Sequence, residues 1–125
     1  MYNEKVIKEF SDPQNVGELK NPNGVGTVGN ASCGDIMKLF LRIENDIIVD
    51  VSFKTFGCAA AIATASTATR LIKGVTIEDA LKVTNQHVVD ELGGLPSQKL
   101  HCSVLAHEAI VAAIEDYKNN KINDK

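Results

Sequence analysis

Two stretches of alternation stand side by side near the middle of the chain. Over 36–43, Met37, Leu39, Leu41 and Ile43 fall on one side, the period of a half-buried strand. Glu44-Asn45-Asp46 reads as a hairpin turn. Beyond it, Ile47, Val49, Val51 and Phe53 alternate with Ile48, Asp50, Ser52 and Lys54. Neighbouring strands joined by so short a turn are expected to pair antiparallel. Thr55-Phe56-Gly57-Cys58 breaks the alternation, and 59–72, built largely of Ala, Thr and Ser, is predicted to be a helix packed tightly on the sheet. Gly74 ends it. Thr76 with Asp79 resembles a capping box that opens a short helix through 83. Asn85 is placed to cap another through 92, which Gly93-Gly94 stops.

The two ends of the chain follow from the same reading. Asn3 is placed to cap a helix with Val6, Ile7 and Phe10 on one side, closed by Ser11-Asp12-Pro13. Residues 15–29 hold four glycines and Pro22 and read as a surface loop, with a short strand over 25–31. A last helix is predicted to 117, with Cys102, Ala106, Ala109, Ala113 and Tyr117 on one face and Ile110 beside them. The polar tail 119–125 is expected to fray. Helix, then strands, then helices predicts an α+β fold with an antiparallel sheet covered on one face.

Composition narrows the class. At 125 residues the chain is expected to be one domain, 1–125. A net charge of -3 with both signs interspersed offers no basic stripe for nucleic acid or anionic membrane. No apolar run is long enough for a membrane span, and Met1-Tyr2-Asn3-Glu4-Lys5 has no signal core, so a cytoplasmic protein is expected. Three cysteines is an odd count that does not suit a disulfide framework. In a reducing compartment such cysteines are buried, catalytic or metal-binding.

Two motifs are set aside. Gly24-Val25-Gly26-Thr27-Val28-Gly29 matches the dinucleotide fingerprint in letters, but a strand is expected after it where the fingerprint needs a helix. Asn30-Ala31-Ser32 matches a glycosylation acceptor without secretory context.

The cysteines carry more. Cys33 precedes one predicted strand, Cys58 follows the next where a helix begins, and Cys102 lies near the start of the last helix. Any one cysteine is more often a small buried hydrophobe than a ligand. Three at element ends, with Asp35 two residues from Cys33 and His101 beside Cys102, suggest a metal site. Helix starts favour thiolate over thiol, and Lys99 is either a solvated charge or a cation that stabilises nearby thiolates. Three thiolates with one oxygen or nitrogen donor suit zinc or an iron–sulfur centre. Either Asp35 or His101 could supply that fourth donor. A carboxylate is a harder partner for cluster iron than a thiolate, so a site using Asp35 should open more easily. His87 and His107 read as ordinary surface or packing residues.

The residues resemble the IscU/NifU-type iron–sulfur cluster assembly scaffolds along nearly the whole chain. The resemblance rests on Asp12-Pro13-Gln14-Asn15-Val16-Gly17 and on three cysteine motifs: Ser32-Cys33-Gly34-Asp35-Ile36-Met37-Lys38-Leu39, Phe53-Lys54-Thr55-Phe56-Gly57-Cys58, and Lys99-Leu100-His101-Cys102-Ser103-Val104-Leu105-Ala106. It implies a SufE/NifU-like α+β fold, a three-stranded antiparallel sheet packed with about five helices. It implies Cys33, Cys58 and Cys102 as cluster ligands, with Asp35 and His101 as candidates for the fourth donor or for control of the site. Cys102 would accept persulfide sulfur from a pyridoxal-phosphate cysteine desulfurase, and Lys99 would support the site. Tyr2 is similar to an N-terminal tyrosine linked to assembly and pairing of scaffold molecules.

The implied function is that of a non-enzymatic scaffold. A transient 2Fe–2S cluster would be built on it from iron and sulfur, then passed to apo-proteins, with zinc as an occupant of the cluster-free site and a homodimer as a plausible assembly. Two departures bear on this. The segment read by an Hsp70-type chaperone is here Leu95-Pro96-Ser97-Gln98-Lys99, with Ser97 and Gln98 where the family often has Pro and Val. Ala59-Ala60-Ala61 follows Cys58 where the family commonly has Gly-Ser-Ala. No long insertion separates Cys58 from Cys102, unlike the SufU type, whose members relay persulfide on zinc. The additional cluster domains of full NifU proteins are not expected.

Overall fold

The computed structural model describes residues 3–30, 35–57, 59–95 and 100–123, without the side chains of Asn30, His101 and residues 121–123. Asn45 and Asp46 have φ of 54° and 62°, the left-handed pair that closes a two-residue hairpin. They join β2 (Asp35–Glu44) to β3 (Ile47–Phe56), which pair antiparallel, and β1 (Gly24–Asn30) pairs antiparallel with the other edge of β2. The sheet order is β1-β2-β3. Around it run α1 (Glu4–Ser11), α2 (Ala59–Ile72), α3 (Ile77–Leu81), α4 (Asn85–Glu91) and α5 (Leu100–Asn123). The expected α+β architecture, with three strands and five helices, is therefore present among the described residues.

One sheet face and the inward sides of α2 and α5 make the core. Met37, Leu39, Leu41 and Ile43 are buried as their alternation predicts, against Ala63, Ala65, Ala68, Ile72, Ala106, Ala109, Ile110, Ala113 and Ile114. The alternation of β3 does not hold throughout. Arg42 pairs with Asp50 but Ile43 pairs with Ile48, so Val49 is an extra residue in the strand. This β-bulge reverses the parity. Val51 and Phe53 point inward as expected, but before the bulge Ile48 is buried while Ile47 and Val49 are exposed.

Other departures have equally local causes. Asn3 caps α1 as expected, its side chain accepting from the Val6 N–H at 3.0 Å. Of the apolar side chains on α1, only Val6 is buried, and Ile7 and Phe10 face outward. The inward polar residue is Glu9, which accepts from the Ser66 hydroxyl and pairs with Arg70. Residues 15–17 are not a free loop, because Val16 bridges to Phe53 along the outer edge of β3. The cap of α4 is Thr84, one residue before Asn85, in a capping box completed by His87. Helix α5 continues past the predicted end at Tyr117 to Asn123, so the part of the 119–125 tail that is described is helical. Asp116 accepts from the Val25 N–H at 2.9 Å, and Asn120 donates to the Asn23 carbonyl at 3.4 Å.

Gly24 and Gly26 of β1 serve contact with α5, not phosphate binding. A Cβ at Gly26 would stand 2.5 Å from the Ala113 nitrogen and 2.8 Å from the Ala109 oxygen, and one at Gly24 would stand 2.6 Å from the Ala113 oxygen. The backbones of β1 and α5 thus touch directly, which only glycine permits on the strand side. Gly26→Ala is expected to destabilise the protein by about 1–3 kcal/mol, the ordinary cost of forcing extra volume into a packed seam. Urea denaturation measures it, and an unchanged midpoint would show that the seam is loose.

Candidate functional site

Five element ends meet at one end of the sheet. Asp35 is the first residue of β2 and pairs with Asn30, the last of β1. Its neighbour Ile36 pairs with Phe56, the last residue of β3, and the Thr55 hydroxyl donates to the Ile36 carbonyl at 2.7 Å. The chain leaves β3 through Gly57 and enters α2 at Ala59. The first turn of α5 carries Cys102, which is fully buried with Ala60 and Ala61 of α2, with Leu95 packed against them.

Two glycines seat Asp35. A Cβ on Gly29, whose φ is +118°, would collide with the Asp35 carbonyl oxygen. A Cβ on Gly57 would collide with the Asp35 carboxylate oxygen Oδ1 and would lie 3.1 Å from the Ala61 methyl. The buried Asp35 carboxylate and the Ala61 methyl therefore share the space beside Gly57, while Ala61 also packs with Cys102. A carboxylate and a thiol from distant parts of the chain are thus gathered at the start of α2. A helix start has unpaired N–H groups and partial positive charge, which suits thiolates and carboxylates.

Of the residues picked out by sequence, Asp35 and Cys102 are brought together here. Cys33, Cys58 and Lys99 lie outside the described residues, as does Tyr2. His101 has its backbone in the first turn of α5, and its side chain is outside what is described. His87 and His107 serve local structure: His87 Nδ1 accepts from the Thr84 N–H at 3.0 Å, and His107 Nδ1 lies 3.0 Å from the Val83 carbonyl. Among the described residues no three His, Cys, Asp or Glu side chains form a metal-holding group. The described donors are therefore this one carboxylate and this one thiol. Sequence reasoning named Ala61 and Leu95 without seeing that they cover Cys102, and it read Gly57 as a break in alternation and part of a cysteine motif, not as room for Asp35. A glycine immediately before a cysteine, at the point where a strand gives way to a helix, was the available signal for Gly57.

Comparison with known proteins gives a consistent set. The model of the NifU-like N terminal domain matches residues 1–124. An iron–sulfur cluster assembly scaffold protein IscU 1 of Archaeoglobus fulgidus is 54% identical over 98% of this chain and 82% of its own. An IscU of Rickettsia prowazekii is 49% identical over 99% of this chain and 97% of its own. Among solved structures, a putative scaffold for the SUF system from Fervidobacterium islandicum superposes with a TM-score of 0.78 at 22% identity, over 90% of this chain and 96% of that one. A NifU-like N-terminal protein from Brucella abortus superposes with a TM-score of 0.72 at 20% identity, over 94% of each chain. The two structures bear on the fold alone.

The burial of Cys102 is open to direct measurement. With Cys33 and Cys58 replaced by serine, the remaining thiol is expected to react with a disulfide reagent at least about tenfold more slowly than in urea, the protection that ~1.4 kcal/mol of local opening confers. Adding Leu95→Ala should speed the reaction. Labelling at the urea rate in the native protein would contradict the packing.

Proposed function

The chain belongs to the NifU-like N-terminal domain family, and on that premise we propose that it is a scaffold on which an iron–sulfur cluster is assembled and from which the cluster is handed to apo-proteins. The observation that carries the reading is the gathering of Asp35 and Cys102, distant in sequence, at the start of α2.

The cluster is cargo, a 2Fe–2S unit held by the thiolates of Cys33, Cys58 and Cys102. The fourth position falls to Asp35, with His101 as the alternative donor and Lys99 as a cation that favours thiolate. Cys102 takes sulfane sulfur from the persulfide of a cysteine desulfurase. Because Cys102 is buried against Ala60, Ala61 and Leu95, the donor has to displace that apolar cover first. The sulfur is then reduced to sulfide by an external electron carrier as iron enters among the thiolates. Release follows from the donor set. A hard carboxylate on soft cluster iron is exchanged for an incoming thiolate more readily than a fourth cysteine would be. No free substrate is turned over, so the protein is read as a scaffold rather than an enzyme.

The same reading extends to partners. Leu95-Pro96-Ser97-Gln98-Lys99 stands where a dedicated Hsp70-type chaperone would bind, with an altered centre. Zinc is the expected occupant when no cluster is being built. No helix among the described residues is long and apolar enough to cross a membrane.

Two measurements test the reading. Anaerobic incubation with ferrous iron, cysteine and a desulfurase is expected to produce a visible iron–sulfide chromophore with matching iron and sulfide contents. A colourless protein that keeps one tightly bound zinc would instead be a sulfur relay. Asp35→Ala should still form the chromophore but release it to an apo-ferredoxin more slowly, and release no slower than wild type would refute the role given to the oxygen donor.

A further inference from the structure

We propose that Gly57 is the positioning residue for Asp35: the missing side chain at 57 is what allows the carboxylate to stand over the start of α2, and so sets how readily a bound cluster leaves. This rests on the scaffold reading above and deepens it.

The argument is steric. The Asp35 carboxylate occupies the volume that any Cβ on residue 57 would require, and the Ala61 methyl closes the same space from the helix side at 3.1 Å. The two obstacles differ in what they can do. Ala61 is fully buried on a helix whose inward side is packed from Ala60 to Ile72, so it yields little. The carboxylate ends a side chain that can turn about its own bonds. An alanine at 57 therefore displaces the carboxylate far more than it shifts the helix. Gly57 is not among the glycines with positive φ, so alanine also meets no backbone strain there.

Gly29 makes the contrast. It has φ of +118° and faces the Asp35 backbone carbonyl, which cannot rotate away. A side chain at 29 disturbs the strand pairing itself, whereas one at 57 moves chiefly the carboxylate. The two positions separate a structural glycine from a positioning one, although both touch Asp35.

The test is a double-mutant cycle on the full chain, reconstituted with ferrous iron, cysteine and a desulfurase, with cluster release to apo-ferredoxin as the readout. Gly57→Ala is expected to stay folded but to melt somewhat below the wild-type temperature, because the Ala61 methyl at 3.1 Å must give way, to form the chromophore, and to slow release about two- to tenfold, the lower part of the range over which neighbouring groups couple. In the Asp35→Ala background the same substitution should change release no further. Release at the wild-type rate in Gly57→Ala, or an equal additional slowing in the Asp35→Ala background, would overturn the proposal. A crystal structure of Gly57→Ala provides a readout independent of any cluster. The carboxylate should be displaced from the Ala61 methyl, and a carboxylate left in place would refute the proposal even if the scaffold reading stands. Failure of the wild-type protein to form a chromophore would count against the scaffold reading instead.

Discussion

Where β1 crosses α5, no side chain separates the two backbones. Gly24 and Gly26 lie directly against the main chain of α5 at Ala109 and Ala113. That contact fixes the helix on the sheet more closely than any pair of larger residues could, and the rest of the arrangement depends on it. Residues 102 and 113 are on the same buried stripe of α5. Seating the middle of the helix against β1 therefore sets where its first turn, and Cys102, comes to rest. The same economy of volume recurs at the functional end. Gly57 leaves room for the Asp35 carboxylate, and Ala60 and Ala61 leave room for Cys102.

Close packing at both seams has a chemical consequence. A thiol surrounded by alanines and a leucine is shielded from water, and a carboxylate wedged beside a helix start is held in one place. Both groups are thus held out of solvent, Cys102 fully and Asp35 nearly so. The polar network on the other side of α2 supports this. Ser66 accepts from the Gln14 N–H at 2.8 Å and donates to Glu9, while Asn15 donates to Thr69 at 3.0 Å. These bonds tie α1 and the segment after it to the helix whose start carries the site. The segment then runs along β3, with Gly17 N–H donating to the Phe53 carbonyl at 2.8 Å.

Much of this was legible in the residues. The Asn3 cap, the alternation of β2, the Asn45-Asp46 turn and the bounds of α2 follow from local rules and stand in the structure. What failed depended on contacts that a local pattern does not contain. The bulge at Val49 reverses the inward face of β3 without any letter that marks it. Ile7 and Phe10 look like a core face until Glu9 is seen to find Ser66 and Arg70, more than fifty residues away. Helix α5 outlasts its apolar stripe because Asp116 and Asn120 bond back to the start of β1. At the site, Asp35 and Cys102 stood out by residue type. Gly57, Ala61 and Leu95 act by shape, and their roles appear only once three elements are brought together.

The donor set proposed above, three thiolates and one oxygen donor, would make the two irons of the cluster unlike. Mössbauer spectroscopy of the protein reconstituted with iron-57 tests this most directly. Two ferric sites in equal amounts with distinct quadrupole splittings are expected, one iron held by thiolates alone and one by a thiolate with a harder donor. In Asp35→Cys the two should converge. A single symmetric site in the unaltered protein would contradict the claim.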